Sequence, residues 1–287
     1  MSEARPRRIL IVIGQVLSEP WLGITMSGQF PTWLEDASRE DIPVRHSFGR
    51  RSGSVVRWMD RGHEWLRWHG PGRTWVPRID SFLGRPLRAW VPKVVVCDFV
   101  SAGHVGWQQG LVDVYAMQRW KVLSSLTQCL NEDFTHVYFT TASSYVSVRE
   151  LQRVINDLPE SGVYAGTPLT DAISGVTFAS GANRVLSRDV VSEIVSRKTA
   201  YRNDVMEDVG LGELVSKCGF MLCELPSVNI SSDSELDSLA DENIRSNFHF
   251  RMTSGTRDDR HDARLMLRLH RRIRSLDEDK SDHHVEG

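Results

Sequence analysis

The segment "YFTTASSYVSVREL" (138–151) is predicted to be a strand that passes through a polar turn into a helix. α/β enzymes commonly hold a nucleotide at such a junction, because ligands bind outside the carboxyl ends of the strands. The turn offers the hydroxyl groups of Thr141, Ser143 and Ser144, which could bond to a ribose or phosphate oxygen. It contains no carboxylate, lysine or histidine. The turn is therefore either a ligand-binding turn without charge or a plain connection.

Two adjacent carboxylates, Glu207 and Asp208, stand at the start of the predicted helix "EDVGLGELVSKCG" (207–219). The helix dipole and the backbone N–H groups of the first turn hold such carboxylates in the ionised form. An ionised carboxylate beside a ligand could accept a proton. The simpler explanation for an isolated aspartate is that it caps the helix.

Predicted strands and helices alternate along the chain, which indicates an α/β protein with a mainly parallel sheet flanked by helices. The strands are predicted at 8–14, 43–46, 93–99, 135–141, 162–166, 175–180 and 219–225, and the helices at 54–69, 113–130, 148–158, 187–197 and 207–219. The acidic segment 231–243 is expected to be a loop. A single domain, 1–256, would then precede a basic amphipathic helix at 257–276 and a disordered tail at 277–287.

The C-terminal helix carries an apolar stripe that contains Met266, Leu269, Ile273 and Leu276, with arginines around it. We expect this stripe to dock on the domain. The alternatives are a homodimer through the helix, or an acidic partner that includes DNA phosphates.

Composition indicates an ordinary globular protein of 287 residues, with a net charge of −2 that argues against a general polyanion binder. Residues 1–130 are basic, with 17 Lys and Arg against 11 Asp and Glu, and all nine tryptophans lie between Trp21 and Trp120. No apolar run is long enough to span a membrane. The four cysteines form no CxxC pair and are expected to be reduced core thiols, which favours a cytoplasmic protein.

Four segments, in order, resemble the β-1,3-galactosyl-, N-acetylglucosaminyl- and Fringe-type glycosyltransferases. "DVYAMQRWK" (113–121) resembles their "DxYxNLTxK", and "TTASSYVSVREL" (140–151) occupies the place of their "TDDDVFVNVxxL". "GVYAG" and "FASGANRVLSRDVV" resemble their "YAG" and "YxSGxGYVLSxDxV", and "EDVGLG" with "LVSKCGF" resembles their "EDVYxGxCLxxLG". The similarity covers about 98–220. Each motif alone is weak, and their common order makes the signal specific.

The resemblance implies a GT-A (Rossmann-like) fold, a nucleotide-sugar donor that is usually UDP-linked, and inversion at the anomeric carbon. It implies that Asp208 is the catalytic base, with Glu207 as the alternative if the register shifts by one. It also implies donor-binding roles for the positions that correspond to its motifs, namely Asp113, Tyr115, Lys121, Thr141, Ser143, Ser144 and Gly181. Arg184, which stands where this family usually has an aromatic residue, is a further donor-binding candidate.

The chain departs from this family at the metal-binding aspartates, whose places are taken by Thr141, Ala142 and Ser143. None of them supplies the anionic oxygen that Mg²⁺ or Mn²⁺ favours. The alternatives are metal-independent transfer, a metal held by other ligands, and lost activity. His249 is a weak candidate for a metal ligand, because a lone histidine between aromatic residues is more often packed in a core.

Metal-independent transfer would need protein cations against the departing diphosphate. The candidates are Lys121, Arg149, Arg184 and Arg251, each of which is individually better explained as a solvated surface residue. Asp98, which follows "VVVC", could contact the nucleotide or cap a turn.

The predicted function is an inverting glycosyltransferase that acts on an acceptor hydroxyl of a protein, a glycan or a modified DNA base. One alternative is a non-catalytic protein that binds nucleotide sugars or glycans. The other is a nucleic-acid-associated protein that uses the basic, tryptophan-rich first part of the chain.

Overall fold

A computed structural model of the chain describes residues 7–16, 19–50, 105–112, 118–202, 205–256 and 259–282. The predicted helix 54–69, the predicted strand 93–99, and the residues Asp98, Asp113 and Tyr115 lie outside this described part. The chain is an α/β protein, as predicted. No helix in the described ranges combines the length and the apolar character that a membrane span requires.

Within the described ranges, ten strands form two sheets. Their bounds are β1 (Ile9–Gln15), β2 (Val44–Arg50), β3 (Val105–Val112), β4 (His136–Thr141), β5 (Ser144–Val146), β6 (Tyr164–Thr170), β7 (Thr177–Ser187), β8 (Leu222–Glu224), β9 (Val228–Ile230) and β10 (His249–Met252). The α-helices are α1 (Trp21–Ile24), α2 (Glu35–Arg39), α3 (Gln118–Cys129), α4 (Val148–Asp157), α5 (Arg188–Ser196), α6 (Glu207–Lys217), α7 (Asp233–Ser238), α8 (Asp241–Ser246) and α9 (Asp262–Asp282). A π-helical segment, Thr25–Leu34, joins α1 to α2.

The large sheet has the strand order β3-β2-β1-β4-β7-β6-β8. Four of its neighbouring pairs are parallel, and β7 is antiparallel to both β4 and β6. The sheet is therefore mixed, with one reversed strand in a mainly parallel arrangement. Because β1 and β4 run in the same direction, their carboxyl ends meet at one edge, where Gly14 pairs with Thr141.

The apolar run of β1 separates into two faces because side chains alternate along a strand. Ile9, Ile11 and Ile13 enter one hydrophobic cluster, and Leu10 and Val12 enter the other. The first cluster packs under α4, α9 and the π-helical segment. The second packs under α3, α5 and α6. Helices therefore cover both faces of the large sheet, as the alternating pattern predicts.

A small sheet of β5, β10 and β9 lies outside the predicted elements. β10 is antiparallel to β5 and parallel to β9, and it places Arg251 opposite Ser144. Phe250 and Met252 of β10 are fully buried in the first cluster. Through this sheet, β10 is hydrogen-bonded to β5, next to the turn that follows β4.

The predicted loop at 231–243 is wrong, because this segment forms α7 and α8. The N–H of Glu235 donates to Oγ of Ser232 at 3.2 Å, which caps α7. Aspartates of both helices pair with arginines of α9, including Asp237 with Arg268 at 2.6 Å. The acidic residues of this segment therefore form ion pairs that hold α7 and α8 against α9.

Helix α9 begins at Asp262 and continues to Asp282, so the predicted tail is helical in its first part. Its residues Leu265, Met266 and Leu269 are fully buried in the same cluster as β1. The apolar stripe therefore docks on the domain, as expected. A homodimer through this stripe would require the helix to leave its own core.

Cysteine burial differs from the prediction. Cys129 is buried, whereas Cys218 is partly exposed and Cys223 is exposed. The expectation of a core thiol is therefore wrong for Cys223, which lies on the short strand β8 near the edge of the sheet.

Candidate functional site

The uncharged turn lies at the carboxyl end of β4, where its backbone is held from below by two side chains of the π-helical segment. Nε2 of Gln29 donates to the carbonyl oxygens of Thr141 at 3.0 Å and Ser144 at 3.1 Å. Nε1 of Trp33 also donates to the carbonyl of Ser144, at 3.1 Å. Both side chains are fully buried. The turn is therefore a fixed part of the core, which argues against a plain surface connection.

The three hydroxyl groups of the turn differ in their surroundings. Ser143 and Ser144 are buried, whereas Thr141 is partly exposed. Oγ of Ser144 lies 3.3 Å from Oγ1 of Thr141, which also accepts a hydrogen bond from Nη1 of Arg251. Of the three predicted donor-binding hydroxyls, Thr141 is the one that faces the edge of the sheet.

His249 completes a polar chain beneath the turn. Its Nε2 lies 3.1 Å from Oγ of Ser144, and its Nδ1 lies 2.7 Å from Oγ of Ser227. Burial lowers the pKa of His249 to about 3, and the charge of Arg251 acts in the same direction. His249 is therefore neutral near pH 7 and supports Ser144 through a hydrogen bond.

A metal role for His249 has little support from these contacts. Both of its ring nitrogens already have serine partners. In the part of the chain that the structure describes, no three His, Cys, Asp or Glu side chains gather to hold a metal ion. Hydroxyls and a neutral imidazole are a poor donor set for Mg²⁺ or Mn²⁺, which favour carboxylate oxygens. The residues around the turn therefore do not fit the metal that the family resemblance implies.

Asp208 lies in the first turn of α6, beside the end of β4. Its Oδ2 accepts the backbone N–H of Gly181 at 3.2 Å, and its side chain is 30% exposed. Ala182, the next residue, accepts a hydrogen bond from Thr140 at 3.0 Å, which places this part of β7 against the turn. A Cβ atom at Gly181 would lie 2.7 Å from Oδ1 of Asp208. The glycine therefore leaves room for a carboxylate that is fixed and still reachable from solvent.

Glu207 has a different environment from its neighbour. It is buried, and its Oε1 accepts from both Nη1 and Nη2 of Arg184 at 3.2 Å. Burial raises the pKa of Glu207 well above its usual range, whereas Arg184 lowers it. The hydroxyl of Tyr201 donates to the Glu207 carbonyl at 2.5 Å. These contacts leave Asp208 as the one carboxylate of the pair that an acceptor could reach.

The four candidate cations lie in four different environments. Lys121 is buried and donates to the carbonyl of Gln15 at 2.8 Å, beneath the carboxyl end of β1. Arg184 is fully buried and paired with Glu207, which is a structural role that the sequence does not suggest. Arg149 is an exposed residue of α4, 3.5 Å from Asp277. Arg251 is the candidate that contacts the turn itself.

The sequence alone did not point to the residues that support this site. Gln29, Trp33 and Ser227 carry no recognisable motif, and they reach the turn only through the fold. Of the predicted donor-binding residues within the described ranges, Gly181 contacts Asp208, and Thr141, Ser143 and Ser144 share the turn that follows β4.

Comparisons with known proteins add no relative: neither the protein-family models nor the curated proteins contain a match to this chain.

Proposed function

We propose that the chain is an inverting glycosyltransferase that uses a nucleotide-sugar donor, with Asp208 as the general base. The mainly parallel sheet and the polar turn at a strand end are compatible with the GT-A fold that the motif resemblance implies. The proposal assigns the donor to the edge of the sheet between the turn and Asp208. A UDP-sugar is the first donor class to test.

The position of Asp208 carries this proposal. A general base must be ionised, held in place and accessible to the proton that it removes. Asp208 is held in place by the Gly181 N–H in the first turn of α6, and its side chain stays partly exposed. Its neighbour Glu207 is buried and bonded to Arg184.

The proposed reaction is a single displacement. The acceptor hydroxyl gives its proton to Asp208, and the acceptor oxygen forms a bond to the anomeric carbon. The bond from that carbon to the phosphate oxygen breaks, and the nucleoside diphosphate leaves with the electron pair. Attack on the side opposite the leaving group inverts the anomeric configuration. Protein cations must stabilise the negative charge of the leaving group.

A panel of UDP-, GDP- and TDP-sugars tests this proposal, with and without EDTA. The expected result is a thermal shift with at least one donor, together with slow release of its nucleoside diphosphate in EDTA. Binding without turnover on any acceptor would favour a non-catalytic binding protein. Tight, salt-dependent binding of plain DNA or RNA without donor binding would favour the nucleic-acid alternative.

A further inference from the structure

We propose that Arg251 and the Thr141 hydroxyl form a diphosphate-binding site that takes the place of a divalent metal ion. The identity of the ligand, the diphosphate of a nucleotide sugar, rests on the proposed function. The anion site itself rests on the contacts and charges around Arg251.

The position of Arg251 suits an anion ligand at the edge of the sheet. Arg251 pairs with Ser144 across β10 and β5, and its guanidinium donates from Nη1 to Oγ1 of Thr141. A guanidinium has five N–H donors in a planar fork that matches phosphate oxygens. The Thr141 hydroxyl that accepts from Arg251 can donate its own proton to a neighbouring oxygen. One cation and one hydroxyl thus meet at the turn where the related enzymes place their metal.

Arg251 lacks an anionic partner among the described residues: no carboxylate lies within 4.0 Å of it there. The side chain is partly buried, and a charge removed from water without a partner is unfavourable. Bound phosphate would supply the missing counter-charge through charge-assisted hydrogen bonds.

One neighbouring arginine and two neighbouring carboxylates act on the charge of Arg251. Burial lowers the pKa of Arg251, and Arg260 lowers it further, whereas Asp262 and Asp208 raise it. Arg260 already has a counter-charge, since its Nη2 lies 2.6 Å from Oδ2 of the buried Asp262. An arginine keeps its proton under such conditions. Arg251 is therefore the cation of this pair whose charge is available to a ligand.

The other candidate cations are less suitable. Arg184 lies beneath the site with Glu207, and the ammonium of Lys121 donates to a backbone carbonyl under β1. Arg149 is exposed on α4, beside Asp277. Arg251 contacts the turn that occupies the place of the family's metal-binding aspartates.

Pyrophosphate titration tests the site in the full-length protein, by calorimetry in EDTA. The variants are Arg251→Gln, Arg251→Lys and the matched control Arg149→Gln, which removes an exposed arginine that lies beside Asp277. We expect the wild type and Arg149→Gln to bind pyrophosphate equally. Arg251→Gln should bind about 10- to 100-fold more weakly, as expected for lost hydrogen bonds to a charged group. Arg251→Lys should fall between them, because lysine keeps the charge and loses the fork.

A purely structural role for Arg251 predicts a different result: Arg251→Gln would unfold at a lower temperature and would bind pyrophosphate as the wild type does. That result, or absence of pyrophosphate binding to the wild type, would overturn the site. UDP and a UDP-sugar form the second arm. Pyrophosphate binding through Arg251 without donor turnover would support the anion site and contradict the proposed function. Unchanged donor turnover in Arg251→Gln would contradict the anion site alone.

Discussion

Replacement of His249 by glutamine tests whether the polar chain beneath the turn is buried and neutral. In the folded protein the His249 ring is 1% exposed and lies between the hydroxyls of Ser144 and Ser227. Its pKa is lowered from 6.5 to about 3, with burial as the largest cause. In the unfolded chain the same ring accepts a proton below about pH 6.5. The wild type must therefore lose stability as the pH falls from 6.5 towards 3, because the unfolded state binds more protons.

The size of the effect follows from this pKa difference. Each pKa unit corresponds to ~1.4 kcal/mol, so the full difference corresponds to roughly 5 kcal/mol once the pH approaches 3. Between pH 7 and pH 5 the contribution of His249 is about 2 kcal/mol. Glutamine keeps hydrogen-bonding groups at this position and does not titrate. The stability gap between the wild type and His249→Gln should therefore shrink by about 2 kcal/mol over this range.

Urea unfolding at pH 7 and pH 5 measures this gap. Burial also lowers the pKa values of His136 and His270. Their contributions to the pH dependence are the same in both proteins and cancel when the two unfolding free energies are subtracted. His261→Gln is the control, because His261 is a half-exposed residue next to α9. Equal pH dependence of the wild type and His249→Gln would refute the buried, neutral imidazole and with it the placement of β10 against the turn.

Two further predictions concern the neighbours of Asp208. Gly181→Ala should remain folded but lose most donor hydrolysis, because the new Cβ displaces the Asp208 carboxylate from the position that the Gly181 N–H fixes; full activity in a folded Gly181→Ala protein would contradict the fixed geometry. Arg184→Met should lose about 3–5 kcal/mol of unfolding free energy, because Glu207 is left buried without a cation. The double variant Arg184→Met/Glu207→Leu should recover most of this loss in urea unfolding, and failure to recover would argue against the pair.

The regular elements of the large sheet could be predicted from the sequence. The apolar runs Ile9–Ile13 in β1 and Val137–Phe139 in β4 are buried, and short apolar runs bounded by polar residues indicate strands without any tertiary information. The alternation of these strands with amphipathic helices then indicates the α/β class. The proximity of Gly181 to the end of β4 does not follow from this pattern, because Gly181 lies inside β7, which continues beyond the predicted strand to Ser187 and runs antiparallel to β4.

The contacts that define the site could not be predicted in the same way. Arg251 reaches Thr141 across 110 positions of the chain, and His249 reaches Ser144 across 105. The strand β10 that carries both residues is four residues long, which is too short for a periodic signal. An arginine is usually expected at the surface, so the burial of Arg184 could not be predicted from its residue type. Its ion pair with the buried Glu207 explains this position. The acidic segment 231–243 is helical, and its aspartates pair with arginines of α9 that are distant in the sequence.

Donor hydrolysis by Asp208→Asn, in EDTA, is the most direct test of the proposed transferase. Asp189→Asn is its matched control, because Asp189 also lies in the first turn of a helix and accepts a glycine N–H, that of Gly162 at 2.9 Å. We predict that Asp208→Asn releases nucleoside diphosphate at least about 100-fold more slowly than the wild type, as expected for loss of a general base. Asp189→Asn should retain the wild-type rate. Equal rates for Asp208→Asn and the wild type, or equal losses in both variants, would contradict a catalytic role for Asp208.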